Sequence, residues 1–170
     1  MRLSALNSAN RSLAREHFLQ CCSSDEWAKK MLESRPFESA QALLDCANVH
    51  WQNLAEEDYL QAFDGHPKIG DVNSLRAKYA NTKALAAGEQ TQVNTASDDV
   101  MQNLAQGNSD YQDKFGFIFI VCATGKSAQQ MLALLLERLE NDRDTELLNA
   151  AEEQRKIFQL RLQKLMEASE

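Results

Sequence analysis

Only one run of this chain, Phe115-Gly116-Phe117-Ile118-Phe119-Ile120-Val121-Cys122-Ala123, has the aromatic and β-branched density of a buried strand. No second run of similar quality exists to pair with it, and an unpaired strand leaves its backbone N–H and C=O groups without a ladder. A sheet cannot therefore frame the fold, and this run reads as an extended or partly helical buried segment. Elsewhere the apolar residues recur at helical spacing, and Leu, Ala, Gln and Glu, all good helix formers, abound. The fold class that follows is all-α, a single-domain multi-helix bundle over residues 1–170. That length suits one well-buried core, and neither an internal repeat nor a long linker divides it.

Local signals place the helices. Asn7 or Ser8 is expected to cap a first helix reaching about Cys22, with Leu13, Phe18 and Cys21 or Cys22 on or near one face. Ser24-Asp25 starts a second, which ends at Ser34 before Pro36, and a third from about Ser39 carries Leu43, Leu44, Ala47, Trp51 and Leu54 as a core stripe. A fourth spans Glu56 to Phe63, and Asp71 caps a fifth over Leu75 to Ala80. One long or broken helix covers about Leu85 to Leu104, with Val93, Ala96, Val100 and Leu104 inward, and Gly107-Asn108-Ser109 is expected to restart the chain. Ser127 opens a helix to about Asn141, and Asp144 or Thr145 opens the last.

Charge and composition exclude several function classes. A formal charge of −7 without a basic stripe argues against nucleic acid as a partner. No apolar stretch approaches the roughly 20 residues that cross a bilayer. Met1-Arg2-Leu3-Ser4 leads into a polar helix rather than a signal peptide, so the expectation is a cytoplasmic protein. Cys21, Cys22, Cys46 and Cys122 form no CxxC pair and read as reduced packing thiols. Ala123-Thr124-Gly125-Lys126-Ser127 follows an apolar run as a phosphate loop would, but Ile120 stands where that loop needs its first glycine. No Gly-x-Ser-x-Gly elbow is present, and Cys122 lies within the apolar run, so neither a serine nor a cysteine nucleophile is supported.

Three places can carry chemistry. Asp64-Gly65-His66-Pro67-Lys68-Ile69-Gly70 holds one imidazole in a stiff loop: Gly65 and Gly70 permit turns, while Pro67 fixes its own φ and turns His66 away from the helical region. Histidine exchanges a proton near neutral pH, so the loop either aims a proton carrier or ends a helix on a packing residue. Glu89-Gln90 follows Ala86-Ala87-Gly88 at a helix start, as a ligand contact or as a solvent-facing pair. At about 100° per residue, Leu147, Ala151, Phe158, Leu162 and Leu165 share a face of the last helix with Arg161 at its edge. Such an arginine needs a partner, either an internal carboxylate or the anionic group of a substrate. Arg155 and Lys156 read as surface charges, and His17 and His50 as packing or surface residues; three histidines so dispersed, without carboxylates at ligand spacing, make no metal site.

His66-Pro67-Lys68-Ile69-Gly70, Glu89-Gln90, Tyr111 followed by Lys114-Phe115-Gly116-Phe117-Ile118-Phe119-Ile120, and Leu160-Arg161-Leu162 occur in one order and at one spacing. In that combination, and in the early Phe18, Cys21 or Cys22 and Trp27 pattern, the chain resembles the 2-oxo-4-hydroxy-4-carboxy-5-ureidoimidazoline (OHCU) decarboxylases of urate breakdown along essentially its whole length. The resemblance implies an all-α homodimer that needs no cofactor and converts OHCU to (S)-allantoin and carbon dioxide. It implies His66 as the catalytic histidine, Glu89 as the active-site carboxylate and Arg161 as the substrate-binding arginine. Pro67, Gln90 and the backbone of Phe119, Ile120, Val121, Cys122 and Ala123 match pocket-lining positions. Ala86 stands where many members carry a serine, a departure that puts one hydrogen bond in doubt. Eukaryotic members often end in a peroxisomal address, whereas this chain ends Ala168-Ser169-Glu170, which points to a bacterial, cytoplasmic version.

OHCU itself supports this chemistry, because its ring imine can accept the electron pair that carbon dioxide leaves behind, a task other decarboxylases assign to a cofactor. His66 is then expected to act as general acid and base, Glu89 to orient the imidazole or the ureido and ring N–H groups, and Arg161 to pair with a substrate oxygen. Two other readings stand beside it: a non-catalytic helical module binding an anionic purine catabolite, and a hydrolase of the ureido group or ring amide. Association with the preceding hydroxyisourate hydrolase, which would shelter an unstable intermediate, is left open.

Overall fold

Where short hydroxyl and amide side chains precede apolar runs, helices begin. The computed structural model describes residues 1–67 and 93–167, with side chains from 98 onward in the second stretch. Among these residues there are eight helices and no strand: α1 Leu3–Ser8, α2 Arg11–Cys21, α3 Asp25–Glu33, α4 Ala40–Gln52, α5 Glu56–Asp64, α6 Val93–Phe115, α7 Ala128–Leu139 and α8 Arg143–Glu167. The all-α class holds. None of these helices is long and apolar enough to cross a membrane.

The chain forms two compact units, Met1–His66 with Asn149–Glu170, and Pro67–Leu148. In the first, the helix expected from a cap at Asn7 or Ser8 up to about Cys22 begins later, at Arg11, and a short helix, α1, precedes it. Asn7 and Ser8 lie in the last turn of α1, where Asn7 pairs through both side-chain atoms with the Phe37 backbone, at 2.9 Å each. The cap of α2 is Asn10, whose side chain accepts from the Leu13 N–H at 2.8 Å. Arg35 donates to the carbonyls of Leu6 and Ala9, both at 2.8 Å, setting a cation on the carbonyl end of α1. Ser24 and Ser39 cap α3 and α4 as expected.

The core of this unit is aromatic. Trp27 stacks on Phe158 with centroids 5.1 Å apart and meets Phe18 edge-on, while Trp51 meets Phe158 and Tyr59 edge-on. Each polar handle finds a carbonyl: Trp27 Nε1 donates to Ala47, Trp51 Nε1 to Ala151 and the Tyr59 hydroxyl to Trp51, at 3.1, 2.9 and 2.7 Å. In this unit the buried positions of α8 recur every fourth residue, at Ala150, Gln154, Phe158 and Leu162.

In the second unit, α6 runs straight through Gly107-Asn108-Ser109, where the sequence predicts a restart. The reason is tertiary: α6 packs on α7, and a Cβ at Gly107 would lie 2.6 Å from Leu135 Cδ2, so the glycine is there for close approach and not for a break. The helix ends at Phe115, and Gly116, at φ +81°, turns the chain into a segment without helix up to Ala123, the extended one of the two courses, extended or partly helical, that the sequence allows. Ser127 caps α7 in reciprocal bonds with Gln130. The last helix opens at Asp142, whose carboxylate accepts from the Thr145 N–H at 2.7 Å, rather than at Asp144 or Thr145. The expected helix at Leu75 to Ala80 lies outside the described residues, as do the first residues of the helix expected from Leu85.

Candidate active site

His66 follows the last turn of α5, its N–H donating to the Phe63 carbonyl at 3.1 Å, and its side chain is half-buried. Gly65 precedes it with an ordinary helical φ of −71°, so the turn freedom expected there is not used. What the position requires is the absence of a side chain: a Cβ would lie 2.3 Å from Ser23 Oγ and 2.4 Å from Ser23 Cβ. The imidazole Nε2 is 2.5 Å from Oε1 of Gln154 on α8. Gln154 is fully buried and is not among the residues singled out from the sequence.

Arg161 lies two turns beyond Gln154 on the same helix, about 10 Å along the axis. It is exposed, and its Nη1 donates to the Cys21 carbonyl at 3.3 Å. Of the two partners expected for it, an internal carboxylate is not found among the described residues. Burial pushes the neighbouring thiols up, Cys21 to about 11 and Cys22 to about 12, against a smaller opposing pull from Arg161. Both are protonated packing groups at neutral pH, and all four cysteines are free.

Pro67 is exposed and opens the second unit. Ala86, Glu89 and Gln90 lie outside the described residues. Phe119 to Ala123 belong to the second unit, where Ile120 and Cys122 are buried and Phe119, Val121 and Ala123 are half-buried. Arg138 anchors this segment, donating from Nη1 to the Ile120 carbonyl at 2.6 Å, with its guanidinium carbon 4.7 Å from the Phe119 ring centroid. Its Nε donates to Glu146 at 2.6 Å, and the same carboxylate oxygen accepts from the Tyr111 hydroxyl at 2.6 Å. Burial and donation to Glu146 raise the tyrosine's pKa, so it stays a neutral donor. Asn141 Nδ2 donates to the other Glu146 oxygen at 2.9 Å. Lys126 reaches the Cys122 carbonyl at 2.8 Å. Among the described residues no three His, Cys, Asp or Glu side chains group as a metal-binding set.

Fold and site thus define an all-α protein with an imidazole held on a buried amide and an exposed arginine on the same helix as that amide. The chain belongs to the OHCU decarboxylase family, whose family model matches residues 7–163. It is 39% identical over 145 residues to the uric acid degradation bifunctional protein TTL of Arabidopsis thaliana, covering 85% of this chain and 45% of that protein. It is 25% identical over 135 residues to the 2-oxo-4-hydroxy-4-carboxy-5-ureidoimidazoline decarboxylase of Haloferax volcanii, covering 79% and 77%. A crystal structure of OHCU decarboxylase in the presence of (S)-allantoin matches at TM-score 0.71 and 38% identity, over 88% of this chain and 96% of that one. The chain spans less than half the length of the Arabidopsis relative and 33% of the bifunctional uric acid degradation protein of a Bacillus species.

Proposed function

We propose that this chain catalyses the decarboxylation of OHCU to (S)-allantoin and carbon dioxide without a cofactor, with His66, Glu89 and Arg161 as its reacting and binding groups. The observation that carries the reading is the His66 imidazole, half-buried and held by its ring nitrogen on Gln154, in a chain matched to the decarboxylase family from residue 7 to residue 163. Carbon 4 of OHCU bears the hydroxyl and the carboxylate and adjoins the ring imine carbon that carries the ureido group. As the bond to the carboxylate breaks, its electron pair moves between the two ring carbons, and the imine nitrogen takes up the charge and with it a proton from solvent. The hydroxyl proton then leaves as the carbonyl forms, and a proton is delivered to one face of the ureido-bearing carbon.

His66 is the group suited to both transfers, as base toward the hydroxyl and acid toward the carbon. Arg161, with no carboxylate of its own among the described residues, binds a substrate oxygen. Glu89 orients the imidazole or the ureido and ring N–H groups, and Pro67, Ala86, Gln90 and the Phe119–Ala123 backbone line the pocket. We also infer a cytoplasmic homodimer that associates with the preceding hydroxyisourate hydrolase. The names of the Arabidopsis and Bacillus relatives support that association, since in both bifunctional proteins the matched region shares a polypeptide with further sequence.

The test generates OHCU in situ from urate with the two upstream enzymes and follows circular dichroism. Spontaneous decay yields racemic allantoin, so the expected result is rapid growth of the (S)-allantoin signal. His66→Ala should reduce that rate by roughly two to four orders of magnitude, the scale of a positioned proton transfer. A trace matching the protein-free control would favour a binding module, and substrate loss without carbon dioxide release a hydrolase.

A further inference from the structure

The strand-like run has no strand beside it among the described residues, so its carbonyl and N–H groups need other partners. Two of the carbonyls have cations. Ile120 accepts from Arg138 Nη1 at 2.6 Å, and Cys122 from Lys126 Nζ at 2.8 Å. Arg138 is held in turn by Glu146 at 2.6 Å and by the Tyr111 hydroxyl at 3.3 Å, all three residues being buried. Lys126 is half-buried and doubles back along the segment through a turn in which Gly125 takes φ +75° and the Lys126 N–H donates to the Ala123 carbonyl at 3.1 Å. The Thr124-Gly125-Lys126 motif thus builds a lysine clip on the segment rather than a phosphate loop.

A trans peptide is planar, and its C=O and N–H point to opposite sides. The peptides that follow Ile120 and Cys122 are trans, so the N–H groups of Val121 and Ala123 point away from the two cations. Both residues are half-buried, and neither N–H donates to any of the described residues. A cation on the carbonyl draws electron density through the same peptide and makes its N–H the stronger donor. We propose that Arg138 and Lys126 are positioning residues that aim and polarise the Val121 and Ala123 N–H groups as donors to two oxygens of the substrate. The assignment rests on the segment's lining the substrate pocket, as proposed above. Residues two apart in an extended chain stand about 6–7 Å from each other, too far to share one oxygen. OHCU carries oxygens on carbon 2, on carbon 4, on its carboxylate and on its ureido group, so two of them can be met at once.

Proton–nitrogen correlation spectra of the full chain read the two donors directly. With (S)-allantoin as probe, which shares the ring and ureido carbonyls, the Val121 and Ala123 amide protons should move downfield saturably. Lys126→Met, close in length but without a donor, should abolish the shift at Ala123 and leave that at Val121. It should also raise KM for OHCU roughly 5- to 20-fold, with kcat within about threefold of wild type. Lys126→Arg keeps a cationic donor and should keep a KM near that of the wild type. Loss of both shifts in Lys126→Met, or of neither, would give the lysine a merely structural role and overturn the proposal. Wild-type Val121 and Ala123 protons that (S)-allantoin leaves unmoved would overturn it whether or not any variant folds. Decarboxylation without these shifts counts against this proposal alone, and the shifts without decarboxylation count against the proposed activity alone, so the two failures are distinguishable.

Discussion

Gly65 shows how little room surrounds the proposed catalytic histidine. Its backbone is one any residue adopts, so Gly65→Ala meets no conformational penalty, only the Ser23 side chain at 2.3–2.4 Å. Ser23 Cβ sits on the backbone and cannot swing aside, so the chain around residue 65 must move, and His66 moves with it. Overpacking of this kind costs about 1–3 kcal/mol. Misplacing a reacting group by an ångström costs about 100-fold in rate. Gly65→Ala should therefore lower both the melting temperature and the turnover of OHCU, and adding Ser23→Gly should restore both. Wild-type melting and turnover in the single variant would show that the contact relaxes freely. His66 and Arg161 stand out in the sequence because a proline-stiffened loop and a lone arginine at an apolar edge each have a local physical meaning. Gln154 does not, because Glu152-Glu153-Gln154-Arg155-Lys156 has the composition of a solvated run, and only the packing of the helix buries its third member.

At the scale of elements the same division holds between what is local and what is not. Ser24, Ser39 and Ser127 mark helix starts by a bond that reaches only three residues along the chain, so each is legible from its immediate neighbours alone. The break between α1 and α2 and the continuity of α6 through Gly107 depend on distant partners, Phe37 and Leu135, that spacing alone does not identify. Gly107→Ala separates the two kinds of information. Helix propensity alone favours the alanine by about 0.5–1 kcal/mol. Leu135 is fully buried, however, and the new methyl would lie 2.6 Å from its Cδ2. Overpacking at about 1–3 kcal/mol outweighs the propensity, and a net loss of roughly 1 kcal/mol is expected in urea unfolding. In a Leu135→Ala background the contact is gone and the sign should reverse. Stabilisation by Gly107→Ala in the wild-type chain would mean that α6 and α7 repack at no cost.

Among the described residues the buried ion pair is Arg138–Glu146 of the second unit, which also bonds to the Tyr111 hydroxyl, Asn141 and the Ile120 carbonyl. A fully satisfied pair of this kind contributes little net stability, but removing one partner strands the other charge and costs about 3–5 kcal/mol. Against the 5–15 kcal/mol that holds a typical domain together, that loss is large. Glu146→Ala should therefore lower the melting temperature by roughly 6–20 °C for a chain of this size. The double variant Arg138→Met with Glu146→Leu leaves no buried charge and should recover most of the loss. It leaves the Tyr111 hydroxyl and the Ile120 carbonyl without their partners, so recovery is incomplete. It also removes the anchor of the Phe119–Ala123 segment proposed to line the pocket, so decarboxylation should stay depressed while the melting temperature returns. Calorimetry and the OHCU assay on the wild-type chain and both variants separate the two effects. A double variant as unstable as Glu146→Ala would show that hydrogen bonding to the segment, and not the stranded charge, is what the pair supplies to the fold.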